Sequence, residues 1–100
     1  MAAYAVGLYN MQDLSWLPAY RAKVPALLAR HGGRYIARAV GSPWEMLEGT
    51  RPPITGVTIL EFPSMDNARA WHNDPQYAPM IKLRQAGSRL DLLLVEGSDG

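Results

Sequence analysis

The chain has 100 residues, 48% of them hydrophobic, with ten Lys and Arg against nine Asp and Glu and no cysteine. A formal net charge of +1 supplies no basic stripe, so we expect neither nucleic acid nor a membrane as a partner. The lack of cysteine excludes thiol catalysis, disulfides and thiolate metal sites, and it fits a cytoplasmic protein. No basic leader opens the chain, and no apolar run is long enough to span a membrane. We expect one domain over residues 1–97 and a flexible tail at 98–100.

The first two predicted elements are a strand over residues 4–10 and a helix over residues 17–31. Alternation of Tyr4, Val6 and Leu8 with smaller residues is typical of a strand. In the next segment, apolar residues recur at helical spacing up to Gly32, a natural helix stop. Pro25 lies inside that pattern, where it should bend the helix without ending it.

Residues 33–41 predict a second strand, with Arg34, Ile36, Arg38 and Val40 on one face. Two arginines on one face indicate either a solvated edge strand or a small anion pocket. Residues 42–53 follow as an irregular loop with Trp44 and Glu48, and we expect a short extended piece at 46–48. Loops held by a rigid scaffold often carry function.

The third strand is predicted over residues 55–64, and it is apolar on both faces, as central strands usually are. Glu61 interrupts its apolar pattern one step before the end. A carboxylate in such a strand must be paired, hydrated or functional.

Two short helices and a last strand complete the predicted order. Ser64 is a candidate helix cap, and Met65, Ala68, Trp71 and His72 mark one helical face. The run at 73–75 breaks this helix and starts another, whose inward residues include Tyr77 and Arg84 and which ends at Gly87. Residues 89–96 then form the fourth strand.

This order, β-α-β-β-α-β with a broken second helix, is the ferredoxin-like split pattern of the α+β class. The first and third strands should be central, with the helices on one face of the sheet. The fourth strand should be an edge, although it is apolar on both sides, and the face away from the helices is also apolar. Both features are accommodated if two sheets pack face to face, so we expect a homodimer that forms a dimeric α+β barrel.

Several short motifs are distributed along the chain: His31-Gly32-Gly33-Arg34-Tyr35, Leu47-Glu48-Gly49, Glu61-Phe62-Pro63-Ser64, Ala68, Trp71, Pro75-Gln76-Tyr77, Arg84 and Val95-Glu96-Gly97. Together they resemble one family of small bacterial proteins of undetermined function within the dimeric α+β-barrel superfamily. The resemblance spans nearly the whole chain and implies a ferredoxin-like protomer and a dimer, with no assigned reaction. More distant relatives in the superfamily include cofactor-free monooxygenases, muconolactone isomerase-like enzymes and haem-degrading enzymes, which are similar in fold, and fold alone does not carry function.

The two histidines have alternative readings. His31 falls at a helix C-terminus, where a cation is favoured by the helix dipole, and we interpret it as a cap. His72 is either a structural residue facing the sheet or a group at the rim of a site. The pair is far apart without a carboxylate at ligand spacing, so no metal site and no cofactor are expected.

The remaining polar residues supply a candidate site. In one interpretation Glu61 forms an ion pair with an arginine. Arg38 or Arg34 is the first-choice partner, and Arg84 is the second. In the other interpretation Glu61 is a general base in an apolar pocket. In that hypothesis Glu61, His72 and Tyr77 would be catalytic, with Tyr77 donating to an oxyanion. The expected substrate-binding residues are Arg34, Arg38, Arg84, Glu48 and Trp44.

Three functions fit these residues. The first is a cofactor-independent enzyme acting on a small, partly apolar organic molecule. The second is a ligand-binding module without chemistry, and the third is a structural homodimer. The sequence does not separate them.

Overall fold

The computed structural model describes residues 1–40, 43–50 and 54–98. The elements in chain order are β1 Ala3–Met11, α1 Leu17–Arg30, β2 Arg34–Val40, β3 Gly56–Phe62, α2 Met65–His72, α3 Ala78–Gln85 and β4 Ser88–Glu96. This order confirms the ferredoxin-like pattern with its second helix broken into α2 and α3. Of the predicted tail at 98–100, only residue 98 lies within the described part of the chain.

The four strands form one antiparallel sheet in the order β2-β3-β1-β4. The central positions of β1 and β3 and the edge positions of β2 and β4 are as the sequence predicted. The crossovers that produce this order place α1 and the α2–α3 pair on the same side of the sheet.

Helix ends follow local chemistry. Pro25 lies inside α1, as predicted, and the helix continues past it to Arg30. Gly32 then adopts φ +75, a left-handed conformation that most residues avoid and that ends the helix. At the start of α2 the backbone N–H of Asn67 donates to Ser64 Oγ over 3.2 Å, which confirms Ser64 as the cap.

One face of the sheet, here called the covered face, packs against the helices. Along β1 and β3 every second residue is buried, and these residues enclose the core with the inward residues of the helices. Aromatic side chains dominate this core: Tyr9, Trp16, Tyr20, Phe62, Trp71 and Tyr77. Because large rings bury much apolar area each, one helix layer is enough to close this side of the sheet.

The opposite face, here called the open face, is not covered by any helix of the described residues. Val6, Val57 and Ile59 are half-buried there by their strand neighbours alone. Leu93 and Val95 of β4 are 54% and 51% exposed. The predicted apolar character of the face away from the helices is therefore confirmed.

A bulge in β2 corrects the predicted pattern of that strand. The register shifts between Tyr35 and Ala37, so Arg34 lies opposite Glu61 whereas Arg38 lies opposite the buried Thr58. The expectation that Arg34 and Arg38 share a face was wrong, because an extra residue inverts the alternation beyond it.

The loop after β2 is described over residues 43–50 and contains no strand there, so the expected extended piece at 46–48 is not formed. Residues 42 and 51–53 of the predicted loop lie outside the described residues. Within the parts of the chain that the structure describes, no helix is long and apolar enough to cross a membrane.

Candidate functional site

Glu61 pairs with Arg34 on the open face. The Arg34 guanidinium donates to Glu61 Oε1 from Nη2 at 2.8 Å and from Nε at 3.0 Å. Arg34 was one of the two first-choice partners, and the pairing is confirmed. The side chains are 68% and 27% exposed, so this is a half-hydrated pair at the edge of the sheet. Strand pairing explains it, because Arg34 and Glu61 are direct neighbours across β2 and β3.

The structure does not combine Glu61 with Tyr77 in one pocket. Leu60 and Phe62, the neighbours of Glu61 along β3, point into the core beside Trp71. Because side chains alternate along a strand, Glu61 points away from the helices, and the sheet separates it from Tyr77. The hypothesis of a Glu61 base with a Tyr77 oxyanion donor was therefore wrong as a single site.

A buried cluster of Tyr20, Tyr77 and Arg84 lies between the helices and the sheet. The two phenol oxygens are 2.6 Å apart, and Arg84 Nη1 donates to Tyr77 over 2.9 Å and more weakly to Tyr20 over 3.4 Å. Tyr77 has no exposure and Arg84 only 5%. Burial, followed by the proximity of Tyr20, raises the pKa of Tyr77 far above its usual range, so Tyr77 is a neutral phenol.

Two helices, α1 and α3, place this cluster. Tyr20 lies in the first turns of α1, Tyr77 is the N-cap residue of α3, and Arg84 lies in the last turn of α3. Tyr77 and Arg84 are seven residues apart, which places them on one face of the helix. Sequence reasoning found both but missed Tyr20, whose helical spacing indicated only a core position.

Aromatic contacts join this cluster to His72. The ring centroids of Trp71 and Tyr77 are 4.6 Å apart and nearly parallel, and the His72 ring meets Tyr77 edge-on at 6.1 Å. Partial burial, and then the charge of Arg84, lower the pKa of His72 below its usual value. The imidazole is therefore neutral at pH 7 and can accept a proton.

A cavity of about 210 Å³ opens beside His72, between α2 and strands β1 and β4. Its lining is mostly apolar, with three polar side chains from α2 and its C-terminus: Ala5, Ala68, Arg69, Trp71, His72, Asn73, Leu92 and Leu94. The predicted residues that the structure brings together at this place are thus His72 in the wall, with Tyr77 and Arg84 behind it.

The other predicted residues lie elsewhere. Trp44 and Glu48 are in the loop at 43–50, and neither lines the cavity. Arg38 lies at the β2 edge, with its guanidinium carbon 4.4 Å from the Tyr35 ring centroid. Burial raises the pKa of Tyr35 to about 12, so this contact is a cation–π contact with a neutral phenol.

His31 belongs to a structural ion-pair cluster. Its Nε2 donates to Asp74 Oδ2 over 2.8 Å, and Arg30 Nη1 lies 3.3 Å from the same oxygen. The His31 hydrogen bond, and then the backbone N–H of Gln76, lower the pKa of Asp74. The cluster ties the end of α1 to the turn between α2 and α3. Among the described residues no three His, Asp or Glu side chains are grouped as metal ligands would be.

Comparison with solved structures shows the same fold in several bacterial proteins. A protein of unknown function from Rhodopseudomonas palustris superposes with a TM-score of 0.79 at 21% identity, covering 99% of this chain and 84% of that one. SnoaB, a cofactor-independent oxygenase from Streptomyces nogalater, gives 0.67 at 16% identity, with 99% and 95% covered. A dimeric ferredoxin-like protein of unknown function from Jannaschia sp. gives 0.63 at 11% identity, with 97% and 100% covered. No curated protein matches the chain.

At these identities the solved structures establish a shared fold and no shared activity. A family model matches residues 2–98, which is nearly the whole chain. The family is described as a domain of unknown function, DUF1330. Its extent agrees with the stretch over which the motifs resembled a family of small proteins without an assigned reaction. The chain is a member of the DUF1330 family.

Proposed function

We propose that this protein is a homodimeric, cofactor-independent enzyme that acts on a small, partly apolar organic molecule. The observation that carries the proposal is the cavity of about 210 Å³ between α2 and the sheet, with the imidazole of His72 in its wall. A concave, largely apolar site with few polar groups is the usual form of a small-molecule site. SnoaB, which shares the fold over 99% of this chain, is a cofactor-independent oxygenase, and this supports the proposal.

His72 is the proposed general base. Its lowered pKa keeps the imidazole neutral near pH 7, the state in which it accepts a proton. Glu61 and Arg34 lie across the sheet from the cavity, and we assign their ion pair to the assembly instead of the chemistry.

The dimer is proposed from the open face. Val6, Ile59, Leu93 and Val95 form an apolar surface with no helix over it. A surface of this kind, rimmed by a charged pair, is typical of a protein interface. The dimeric ferredoxin-like protein from Jannaschia sp. supports a second copy as the occupant. We expect the interface to bury more than about 1,200 Å² in total.

One observation favours a second candidate, a binding module without chemistry. His72 makes ring contacts with Trp71 and Tyr77, but within the described residues no hydrogen bond orients its ring. A general base usually has such an orienting partner.

The cavity is tested by a fragment screen on the isotope-labelled protein, observed by NMR, with compact aromatic and alicyclic compounds. We expect hits to shift signals of α2 and β4. Leu94→Trp should fill the cavity and abolish binding. Met80→Trp is the matched control, since Met80 is also partly buried but lines a separate groove between α1 and α3. Hits that survive Leu94→Trp, or a screen without hits at the cavity, would contradict the proposal.

The same hits separate enzyme from binding module. Each is incubated with the protein in air, and products are followed by mass spectrometry. For an enzyme, His72→Gln should keep the dissociation constant and stop turnover. Hits that bind and are never converted would favour the module.

A further inference from the structure

Arg84 is a buried cation without a carboxylate. Only 5% of the residue is exposed, yet both of its hydrogen bonds leave from Nη1 and end on phenol oxygens. None of the ion pairs between described residues includes it. A buried guanidinium normally has an anionic partner, because its charge is expensive to remove from water.

The surroundings of Arg84 contain a surplus of hydrogen-bond donors. Three buried side-chain atoms among the described residues have no partner: Trp16 Nε1, Trp71 Nε1 and Arg84 Nε. All three are N–H donors that cannot accept. Buried donors are nearly always matched in folded proteins, so an acceptor is missing here.

Of these groups, Trp71 adjoins the cavity, whereas Trp16 does not line it. Trp71 lines the cavity and stacks on Tyr77, whose hydroxyl accepts from Arg84. His72 also lines the cavity, and its pKa is lowered first by burial and then by the charge of Arg84. A negative group in the cavity would therefore lie within the field of Arg84, in surroundings of low dielectric where that field is strong.

We propose that the ligand of this cavity is a compact organic acid, bound as its anion, with its charged oxygen on the Arg84 side and its apolar part against Ala5, Leu92 and Leu94. This inference rests on the proposed small-molecule function and adds the ligand's charge and orientation. Size agrees, because a cavity of about 150 Å³ accommodates benzene, and this one has about 210 Å³, which leaves room for a carboxylate. Arg84 lies behind Trp71 and His72 and does not itself line the cavity, so it acts on the ligand through its charge.

The test compares matched acid and amide pairs at pH 7, where carboxylic acids are ionised: benzoate with benzamide, phenylacetate with phenylacetamide, and salicylate with salicylamide. Dissociation constants are read from the indole N–H signals, of which the chain has three, with Trp71 assigned through Trp71→Phe. We expect the acid of at least one pair to bind about tenfold or more tightly than its amide and to shift the Trp71 signal.

Two variants locate the source of the preference. Arg84→Gln should bring the acid-to-amide ratio near one, whereas Arg84→Lys, which keeps the charge, should retain part of it. Arg69→Gln tests the alternative source of the preference, because Arg69 also lines the cavity, although it is exposed and paired with Asp66. If Arg69→Gln abolished the preference in place of Arg84→Gln, the assignment to Arg84 would be overturned.

The unmodified protein decides the proposal even if the Arg84 variants do not fold. Equal affinity for the acid and the amide in every pair would overturn the anionic ligand and leave the cavity function standing. Failure of both members of every pair to bind in the cavity would count against the proposed function itself.

Discussion

The two faces of the sheet differ in what covers them, although the same strands supply residues to both. On the covered face, β1 and β3 contribute Tyr9, Leu60 and Phe62 to a core that also encloses Tyr77 and Arg84. On the open face, the same strands contribute Tyr4 and several branched aliphatics, with one ion pair at the edge. The covered face is complete within one chain and holds polar groups inside it. The open face is simpler in chemistry, and it is the face that we propose for dimerisation.

Because the two faces differ in burial, an arginine has a different energetic consequence on each. Arg34 and Glu61 neutralise each other while half-hydrated, so their pairing is a weak determinant of stability. Arg84 is enclosed, and the hydrogen bonds of its guanidinium to described residues end on the phenol oxygens of Tyr20 and Tyr77. A charge that is buried and uncompensated signals either strain or a ligand, and the adjoining cavity favours a ligand.

The largest expected effect is a charge placed in the middle of the open face. Ile59 lies opposite Val6 in β1 and Ala37 in β2, so Ile59→Asp would bury an unpaired carboxylate in each subunit of the proposed dimer. We expect a loss of about 3–5 kcal/mol per subunit and dissociation to monomers, measured by sedimentation velocity at micromolar concentration.

Ala22→Asp adds the same charge on an exposed part of α1 and should leave the dimer intact. A dimer that survives Ile59→Asp, or an unmodified protein that sediments as a monomer, would refute the open face as the interface.

A smaller effect is expected from the hydroxyl of Tyr77 on the covered face. Tyr77→Phe keeps the ring stacked on Trp71 but leaves Arg84 Nη1 with only the 3.4 Å contact to Tyr20. The free energy of unfolding should fall by about 1–3 kcal/mol in urea denaturation, the usual cost of a buried donor without a partner.

Tyr35→Phe is the control, since Tyr35 also packs against the core and its hydroxyl has no hydrogen bond within the described residues. That change should cost no more than about 0.5 kcal/mol. Equal losses in both variants would show that the Tyr77–Arg84 bond does not stabilise the cluster.

Glu61→Gln should change stability by only about 0.2–1 kcal/mol, because its pair with Arg34 is half-hydrated. A fully buried pair would cost about 3–5 kcal/mol instead. Denaturation of Asp66→Asn provides the comparison, since Asp66 and Arg69 form the more exposed pair on α2. A loss above about 3 kcal/mol for Glu61→Gln would mean that assembly buries the pair completely.

The smallest expected effect is the pH dependence contributed by His72. Its folded-state pKa lies below the unfolded value of about 6.5, so the unfolded chain binds protons first as pH falls. Stability is therefore fully present above about pH 6.5 and decreases as pH falls through the folded pKa. In His72→Gln the urea midpoint should change less with pH between about pH 7 and 5 than it does in the unmodified protein. Identical slopes in the two proteins, or an NMR titration of His72 above 6.5, would contradict this.

The hydrophobic periodicity of the sequence, together with its helix-starting and helix-ending residues, was sufficient to predict the fold. Gly32 marked the end of α1, Ser64 marked the start of α2, and the doubly apolar β3 marked the sheet centre, because these signals are local and each has one physical meaning. The pairing of Glu61 with Arg34 could also be predicted from the sequence, because antiparallel strand order restricts which residues can face each other.

Tertiary structure decided which side chains meet. The bulge in β2 separated Arg34 from Arg38, and nothing in the local sequence distinguishes a bulged strand from a regular one. In the sequence Asp74 is recognisable only as a turn residue. The structure places its Oδ2 2.8 Å from Nε2 of His31, which is 43 residues away along the chain. The cavity and the uncompensated charge of Arg84 depend on three helical segments packing over one sheet face. Periodicity determines the face on which a residue lies, whereas its partners across that face depend on long-range packing.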